Sequence, residues 1–317
     1  MPLIHTERYE LEPAPIGRGG FGEIFLARDL LFDRRVVIKT IMASQLYGID
    51  QPTIRRQFFR EAVISAKLGL QCPYIVKVFD YGYDRESDLP FFVMEFVQGH
   101  DLGKDVGIFG WDRVIILLDH MLQALVAAHA RDVVHSDISP DNIIFDEVNG
   151  LFKLNDFGLA KLLTSTLMRR GSLLSLTGGK PGFLPLHDWQ SGDRTAHSDL
   201  YGLTITIINL MTGKLPLWQL RDVGYVAPRA VDFLEAATSD FTHSVVFPSY
   251  VSVRPVFSVP VKKNRRKPNE VAHYAVALTK ANLIALFDEV LSGRLVTVKA
   301  AIELLQSAVR QNLSASP

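Results

Sequence analysis

Cysteine is almost missing from this sequence: Cys72 is the only one in 317 residues. A single thiol excludes an intramolecular disulfide framework and a cysteine-built zinc site, and it fits a reducing compartment. Net charge is missing as well, because 34 Lys and Arg balance 34 Asp and Glu. No global field draws in nucleic acid or a membrane surface, so neither is expected as a partner and any charge-based partner must be read locally. Long apolar runs are also lacking. The longest, around Val114 to Leu118 and Leu203 to Leu210, fall far short of the roughly 18 residues that span a bilayer. His5, Glu7, Arg8 and Glu10 near the amino terminus leave no apolar signal-peptide core. The expectation is a soluble, cytoplasmic protein. Apolar residues as a class are plentiful at 48%, enough for a large core in one domain or two lobes.

Glycine gathers after the strand-like run Tyr9 to Ile16. Gly17-Arg18-Gly19-Gly20-Phe21-Gly22 matches G-x-G-x-x-G at Gly17, Gly19 and Gly22. The following Glu23-Ile24-Phe25-Leu26-Ala27 reads as a strand, whereas a dinucleotide-binding turn opens a helix. A strand, glycine loop, strand hairpin results, in which residues without Cβ let backbone amides close over phosphate oxygens. An ordinary glycine-rich hairpin fits the same residues. Further on, alternation in Val36-Val37-Ile38-Lys39 puts Val37 and Lys39 on one face. A lysine facing the inside of an apolar sheet is costly unless it meets anions, so phosphates and a carboxylate are its expected partners; an edge lysine facing water is the alternative. The carboxylate is Glu61, in a helix expected from about Thr53 to Leu68, beside the face of Phe58, Ala62, Ser65 and Ala66. Strands are expected at Ile75 to Phe79 and Phe91 to Val97, with the Gln98-Gly99 break as a hinge.

From Trp111 to about Arg131, Val114, Leu117, Leu118, Met121, Leu122 and Leu125 form a stripe at helical period. This is a core helix, with His129 near its end read as a packed structural histidine. Next comes His135-Ser136-Asp137, with Asn142 five residues after Asp137. Ile143 to Phe145 and Leu151 to Leu154, joined through Asn149-Gly150, read as a hairpin. The hairpin is expected to return Asp156, of Asp156-Phe157-Gly158, toward Asn142. One carboxylate and one amide oxygen, with phosphate oxygens and water, make an ordinary magnesium shell. Asp137 is then left as the acid nearest an incoming hydroxyl.

In this order the motifs resemble those of the Hanks-type, eukaryotic-like serine/threonine protein kinases of bacterial type, over about Tyr9 to Gln311. The resemblance implies an α+β, bilobal protein-kinase-like fold, with residues 1–97 as a small antiparallel-sheet lobe bearing one helix and residues 98–317 as a mainly helical lobe. It implies that Gly17, Gly19 and Gly22 cover the phosphates of ATP, with Ile16 at the loop entrance among the nucleotide-binding residues. Lys39 would contact the α- and β-phosphates and pair with Glu61. Asp137 would orient the substrate hydroxyl or accept its proton, with Asn142 and Asp156 holding magnesium. Ile24, Val37 and Ile144 match the positions that sandwich adenine. Met94 matches the gatekeeper, so the backbones of Glu95 and Val97 would face the adenine edge. The implied activity is ATP- and Mg-dependent transfer of the γ-phosphate to a Ser or Thr hydroxyl of a protein, with a protein substrate or regulatory protein as partner.

The chain departs from the family pattern at several positions. Ser136 stands where an arginine usually receives an activation-loop phosphate, and Ser139 where a lysine usually faces the γ-phosphate. In the segment read as the activation loop, Ala160 to Trp189, Lys180 replaces a threonine and His187 a glutamate. That glutamate's usual arginine partner would be Arg294, so the pair is expected to be absent or replaced. Asp199 would brace the catalytic-loop backbone, or serve as a plain helix cap. The least family-like part, residues 219–270, reads as an atypical insertion with a basic run at Lys262 to Lys267. Two closing helices are expected at about Val271 to Leu291 and Thr297 to Asn312. These departures keep open a pseudokinase scaffold and a kinase-like enzyme acting on a small molecule. The strand after Gly22 speaks against a dinucleotide-binding dehydrogenase.

Overall fold

A computed structural model describes residues 7–18, 22–40, 51–85, 87–157, 180, 182–221, 224–235, 245–247, 259–260, 274–276 and 278–314. Strand alternation builds the first sheet. β1 (Tyr9–Arg18), β2 (Glu23–Asp29), β3 (Arg34–Thr40), β4 (Val78–Tyr83) and β5 (Pro90–Glu95) are ordered β1-β2-β3-β5-β4, every pair antiparallel. Val37 pairs with Met94, Ile38 with Val93 and Lys39 with Phe92. Successive side chains leave a strand on opposite faces. Val36, Ile38, Phe91 and Val93 therefore gather with Tyr9 and Ala27 on one face, and Val37, Phe92 and Met94 on the other. The second face is covered by α1 (Gln51–Gln71), whose Phe58 ring stacks on Phe92 with centroids 3.9 Å apart. A slip of one residue would reverse both faces, so burial fixes the register.

Several boundaries differ from the sequence expectation. The helix runs beyond Thr53 to Leu68 at both ends, with Pro52 in its first turn, where a missing N–H costs nothing. The strand expected at Ile75 to Phe79 begins instead at Val78. Ile75 and Val76 are apolar because they are buried against Leu154: Ile75 forms a lone parallel bridge to it, and Val76 N–H donates to its carbonyl at 3.0 Å.

A second sheet, ordered β6-β7-β8, comprises β6 (Gly99–Asp101), β7 (Ile143–Asp146) and β8 (Leu151–Leu154), the last two being the expected hairpin. Here Gly99 is obligatory, since a Cβ would lie 1.8 Å from the carbonyl oxygen of Phe145. The helices are α2 (Trp111–His129), α3 (Leu186–Ser191), α4 (Ala196–Thr212), α5 (Val231–Leu234), α6 (Lys280–Leu291) and α7 (Val298–Ser314). α4 is apolar almost all round and buried along most of its length, as such a helix must be. It opens on a capping box between Thr195 and Ser198 and closes at Gly213 in left-handed backbone.

Within residues 219–270 the described parts are α5 and short strands. β9 (Gln219–Arg221) pairs with β10 (Gly224–Val226), and β11 (Val245–Phe247), β12 (Val259–Pro260) and β13 (Tyr274–Val276) are ordered β11-β13-β12. The basic run Lys262 to Lys267 lies outside the described residues. The closing helix expected from Val271 starts at Lys280, because Thr279 caps it by accepting the Asn282 N–H at 3.2 Å. The chain forms two compact units, one within Met1–His100 and Ile144–Gly178, the other within Asp101–Ile143 and Gly179–Pro317. Among the described residues no helix is long and apolar enough to cross a membrane.

His120 is buried in α2, and burial pushes its pKa down to about 3. The unfolded chain takes up this proton below about pH 6.5 while the folded state stays neutral, so stability falls as pH drops through that window. Urea unfolding at about pH 7 and pH 5 will show a loss about 2 kcal/mol smaller in His120→Gln than in the wild type.

Candidate active site

Lys39 lies on the face of β3 that carries Val37. It is 8% exposed, and its Nζ lies 2.6 Å from Asp156 Oδ1. A buried ammonium needs such a carboxylate. Glu61, the partner named from the sequence, is on α1, with its side chain outside the described residues. Asp156 follows β8 in left-handed backbone, φ 61°, which costs a non-glycine residue about 1 kcal/mol or more and is characteristic of functional sites. Val37 and Ile144 pack on the cluster containing Met94 and Val97. A cleft beside it is lined by Val76, Val78, Phe92, Met94, Leu154 and Asp156. Ile24 pairs with Gly17 in β1 and with Lys39 in β3. Ile16 is exposed, Gly22 precedes β2, and Gly19 lies outside the described residues. The structure thus brings Val37, Met94, Val97 and Ile144 onto one apolar surface, with the Lys39–Asp156 pair close by.

Glu95 is held from two sides. Its Oε2 accepts the Lys77 N–H at 3.2 Å and its Oε1 the ammonium of Lys153, while its own N–H donates to the Lys77 carbonyl at 2.8 Å. Lys153 is buried and also lies 3.8 Å from Asp146.

In the second unit, the loop from His135 to Asn142 is organised by Asp199 of α4. Asp199 is fully buried. Its carboxylate accepts the N–H groups of His135 at 2.9 Å and Ser136 at 2.7 Å, and lies 2.7 Å from His129 Nε2. Thr195 caps the helix, so Asp199 is a loop brace, and His129 is the hydrogen-bonded structural histidine expected. Ser136 takes left-handed backbone, φ 72°. Asn142 Nδ2 donates to the Asp137 carbonyl at 2.7 Å and to its Oδ2 at 2.9 Å. Lys180 N–H donates to Asp137 Oδ1 at 3.2 Å. Burial raises the Asp137 pKa above the ordinary carboxylate value, against the pull of His135, Asn142 and Lys180. Gly202 lets α4 come this close, since a Cβ there would sit 3.1 Å from the carbonyl oxygens of both Ile138 and Phe183.

The model of the protein kinase domain family matches residues 11–286 of this sequence. The chain belongs to that family. This kinase domain is 35% identical over 205 residues to the serine/threonine-protein kinase PrkC of Bacillus subtilis, covering 63% of the chain and 30% of PrkC. It is 36% identical over 215 residues to serine/threonine-protein kinase C of Synechocystis sp., covering 65% of the chain and 39% of the relative. It therefore spans less than half the length of these relatives. The fold is similar to that of the Mycobacterium tuberculosis PknI kinase domain, with a TM-score of 0.61 over 96% of this chain and 98% of that one at 18% identity.

Within the kinase domain, His187 and Arg294 do not pair. His187 is exposed at 81%, and Arg294 binds Glu289 instead, at 2.8 and 2.9 Å. The neighbouring Asp188 is the buried acid: it accepts the Ser198 hydroxyl at 2.5 Å, and its carbonyl accepts Arg194 Nη1 at 2.5 Å. The hydroxyls Thr164, Ser165, Thr166, Ser172, Ser175 and Thr177 lie outside the described residues. Sequence reasoning missed the roles of Lys153, Lys180 and Asp188. Lys153 had a signal, a lysine inside the apolar Leu151-Phe152-Lys153-Leu154 strand. Lys180 had none, because its partner Asp137 is 43 residues away.

Asp199→Ala leaves two buried amides and the His129 ring nitrogen without their acceptor, for an expected loss of about 3 kcal/mol. Asp199→Asn keeps one acceptor oxygen and loses less. Urea midpoints should therefore fall in the order wild type, Asp199→Asn, Asp199→Ala.

Proposed function

We propose that this kinase domain transfers the γ-phosphoryl group of ATP to a serine or threonine hydroxyl of a protein in the cytoplasm. The observation that carries this reading is the buried Lys39 ammonium held 2.6 Å from Asp156, near the apolar surface of Val37, Met94 and Ile144. Such a surface suits a flat base, and a buried cation close to it suits phosphates. In this reading Gly17, Gly19 and Gly22, entered through Ile16, close over the phosphates. Ile24, Val37 and Ile144 flank adenine, and the backbones of Glu95 and Val97 meet its edge beside Met94. Lys39 binds the α- and β-phosphates, with Glu61 as its helix partner.

Magnesium is the proposed metal, with the Asp156 carboxylate and Asn142 Oδ1 as its protein ligands. Both are hard oxygens, and the Asn142 amide nitrogen is already bonded to Asp137. Among the described residues no group of three or more His, Cys, Asp or Glu could hold an ion, so phosphate oxygens and water must complete the shell. When bound, such an ion neutralises phosphate charge.

Asp137 is the proposed proton acceptor. The hydroxyl oxygen attacks the γ-phosphorus, forming an O–P bond as the bond to the β–γ bridging oxygen breaks. ADP leaves with that electron pair, and the hydroxyl proton passes to Asp137. The raised Asp137 pKa favours this uptake. The remaining work is positioning and electrostatics, since phosphoryl transfer asks little covalent chemistry of the protein. The serine/threonine-protein kinase names of PrkC and of the Synechocystis relative support this acceptor class.

The test is label transfer from γ-labelled ATP with magnesium, with and without generic protein substrates. Lys39→Ala, Asp137→Asn and Asp156→Asn should each lower transfer by on the order of 10²-fold or more; Asp137→Asn should leave the melting temperature nearly unchanged, whereas Lys39→Ala and Asp156→Asn, which each break the buried pair, should also lower it. A wild-type protein that neither transfers label nor binds ATP in a magnesium-dependent way would sink the reading.

A further inference from the structure

We infer that the ammonium of Lys180 contacts the phosphoryl group as it passes to the hydroxyl beside Asp137, making Lys180 a further catalytic residue. This inference rests on the phosphotransferase reading. The loop from His135 to Asn142 contains no lysine or arginine. Ser139, two residues after Asp137, is fully buried, and its hydroxyl has no hydrogen-bond partner among the described residues. The loop itself therefore offers no permanent positive charge to an incoming phosphoryl group.

Negative charge is abundant there. Asp137 stands in the loop, and the carboxylates of Asp101 and Asp141 converge on Gly103, where a Cβ would meet their Oδ1 atoms at 2.8 and 2.3 Å. A phosphoryl group approaching three carboxylates is repelled unless a cation intervenes. Lys180 supplies one. Its N–H is bonded to Asp137 Oδ1 at 3.2 Å, which fixes its main chain against the reacting carboxylate. Its Nζ pairs with Asp141, and it feels the charges of Asp137 and Asp101.

A second side-chain cation among the described residues that feels Asp137, Arg194, is already engaged. Its Nη1 is bonded to the carbonyls of Asp188 at 2.5 Å and Asp193 at 2.6 Å. The Lys180–Asp141 pair is half open to solvent, with side-chain exposures of 42% and 53%. An exposed pair of this kind is weak, so the ammonium can exchange Asp141 for a phosphoryl oxygen at little cost. The transfer step is the one written above; Lys180 keeps its proton throughout and stabilises charge on the phosphoryl oxygens.

The experiment compares the full chain with Lys180→Met, Lys180→Gln and Lys180→Arg. It measures kcat and KM for ATP with a generic protein substrate, direct binding of ATP and ADP, and melting temperature. The neutral variants should lower kcat by on the order of 10- to 100-fold, leave ADP affinity unchanged and reduce the preference for ATP over ADP. Lys180→Arg keeps the charge and should recover most of kcat. The inference is overturned if the wild type is active and a folded neutral variant keeps kcat within about twofold. It is also overturned if Lys180→Arg loses as much as the neutral pair, or if ADP binding falls in step with ATP binding, since a merely structural role predicts both. A wild type that transfers no label overturns the phosphotransferase reading itself, and this inference with it.

Discussion

Much of the second unit depends on the buried carboxylate of Asp199. An ionised carboxylate out of water is tolerated only when hydrogen-bond donors replace its hydration. Here the donors include two consecutive backbone amides, those of His135 and Ser136. Binding both amides goes with the turn of the chain between them, and Ser136 accordingly sits in left-handed backbone. Asp137 is the next residue. Its carboxylate then lies where the Asn142 amide and the Lys180 N–H converge on it. The bare Cα of Gly202, on the same helix as Asp199, allows the close approach that this arrangement requires.

The first unit solves the complementary problem, a buried cation. Strand alternation turns Lys39 onto the face that also holds Val37 and Met94, and Asp156 supplies the balancing charge. Lys153 repeats the device: a lysine within an apolar strand is buried against Glu95 and Asp146. That pairing ties β8 to the end of β5, next to Val97 in the apolar cluster. One rule, that a buried ammonium must find carboxylates, accounts for the placement of both lysines.

The departures from the family pattern look different in three dimensions from the way they look in the sequence. His187 occupies the position of an acid, yet a buried acid is present one residue later at Asp188, engaged with Ser198. The loop from His135 to Asn142 has serines at 136 and 139 where the family pattern has basic residues, yet a lysine from residue 180 is bonded through its main chain to Asp137. Charge has moved along the sequence, but it remains close to the loop. The pairing of Arg294 with Glu289, five residues before it, shows that this arginine is not held for a distant partner.

Local chemistry made the elements and several of the site residues legible in the sequence. Alternation at Val36 to Lys39, the helical stripe at Val114 to Leu125, the Asn149-Gly150 hairpin and the spacing of Asp137, Asn142 and Asp156 are short-range signals, because period and turn type are set within a few residues. Boundaries were less legible. Ile75 and Val76 are apolar through burial under Leu154, not through strand pairing, and the helix closing the chain begins at the Thr279 cap rather than at the first apolar residues before it. Only the tertiary structure decided that Asp156 lies against Lys39, that Asp199 braces a loop and does not cap its helix, and that Lys180 meets Asp137. These contacts join residues from 43 to 117 positions apart, and no local pattern encodes a distance that the packing of α4 and the pleat of the sheet alone create.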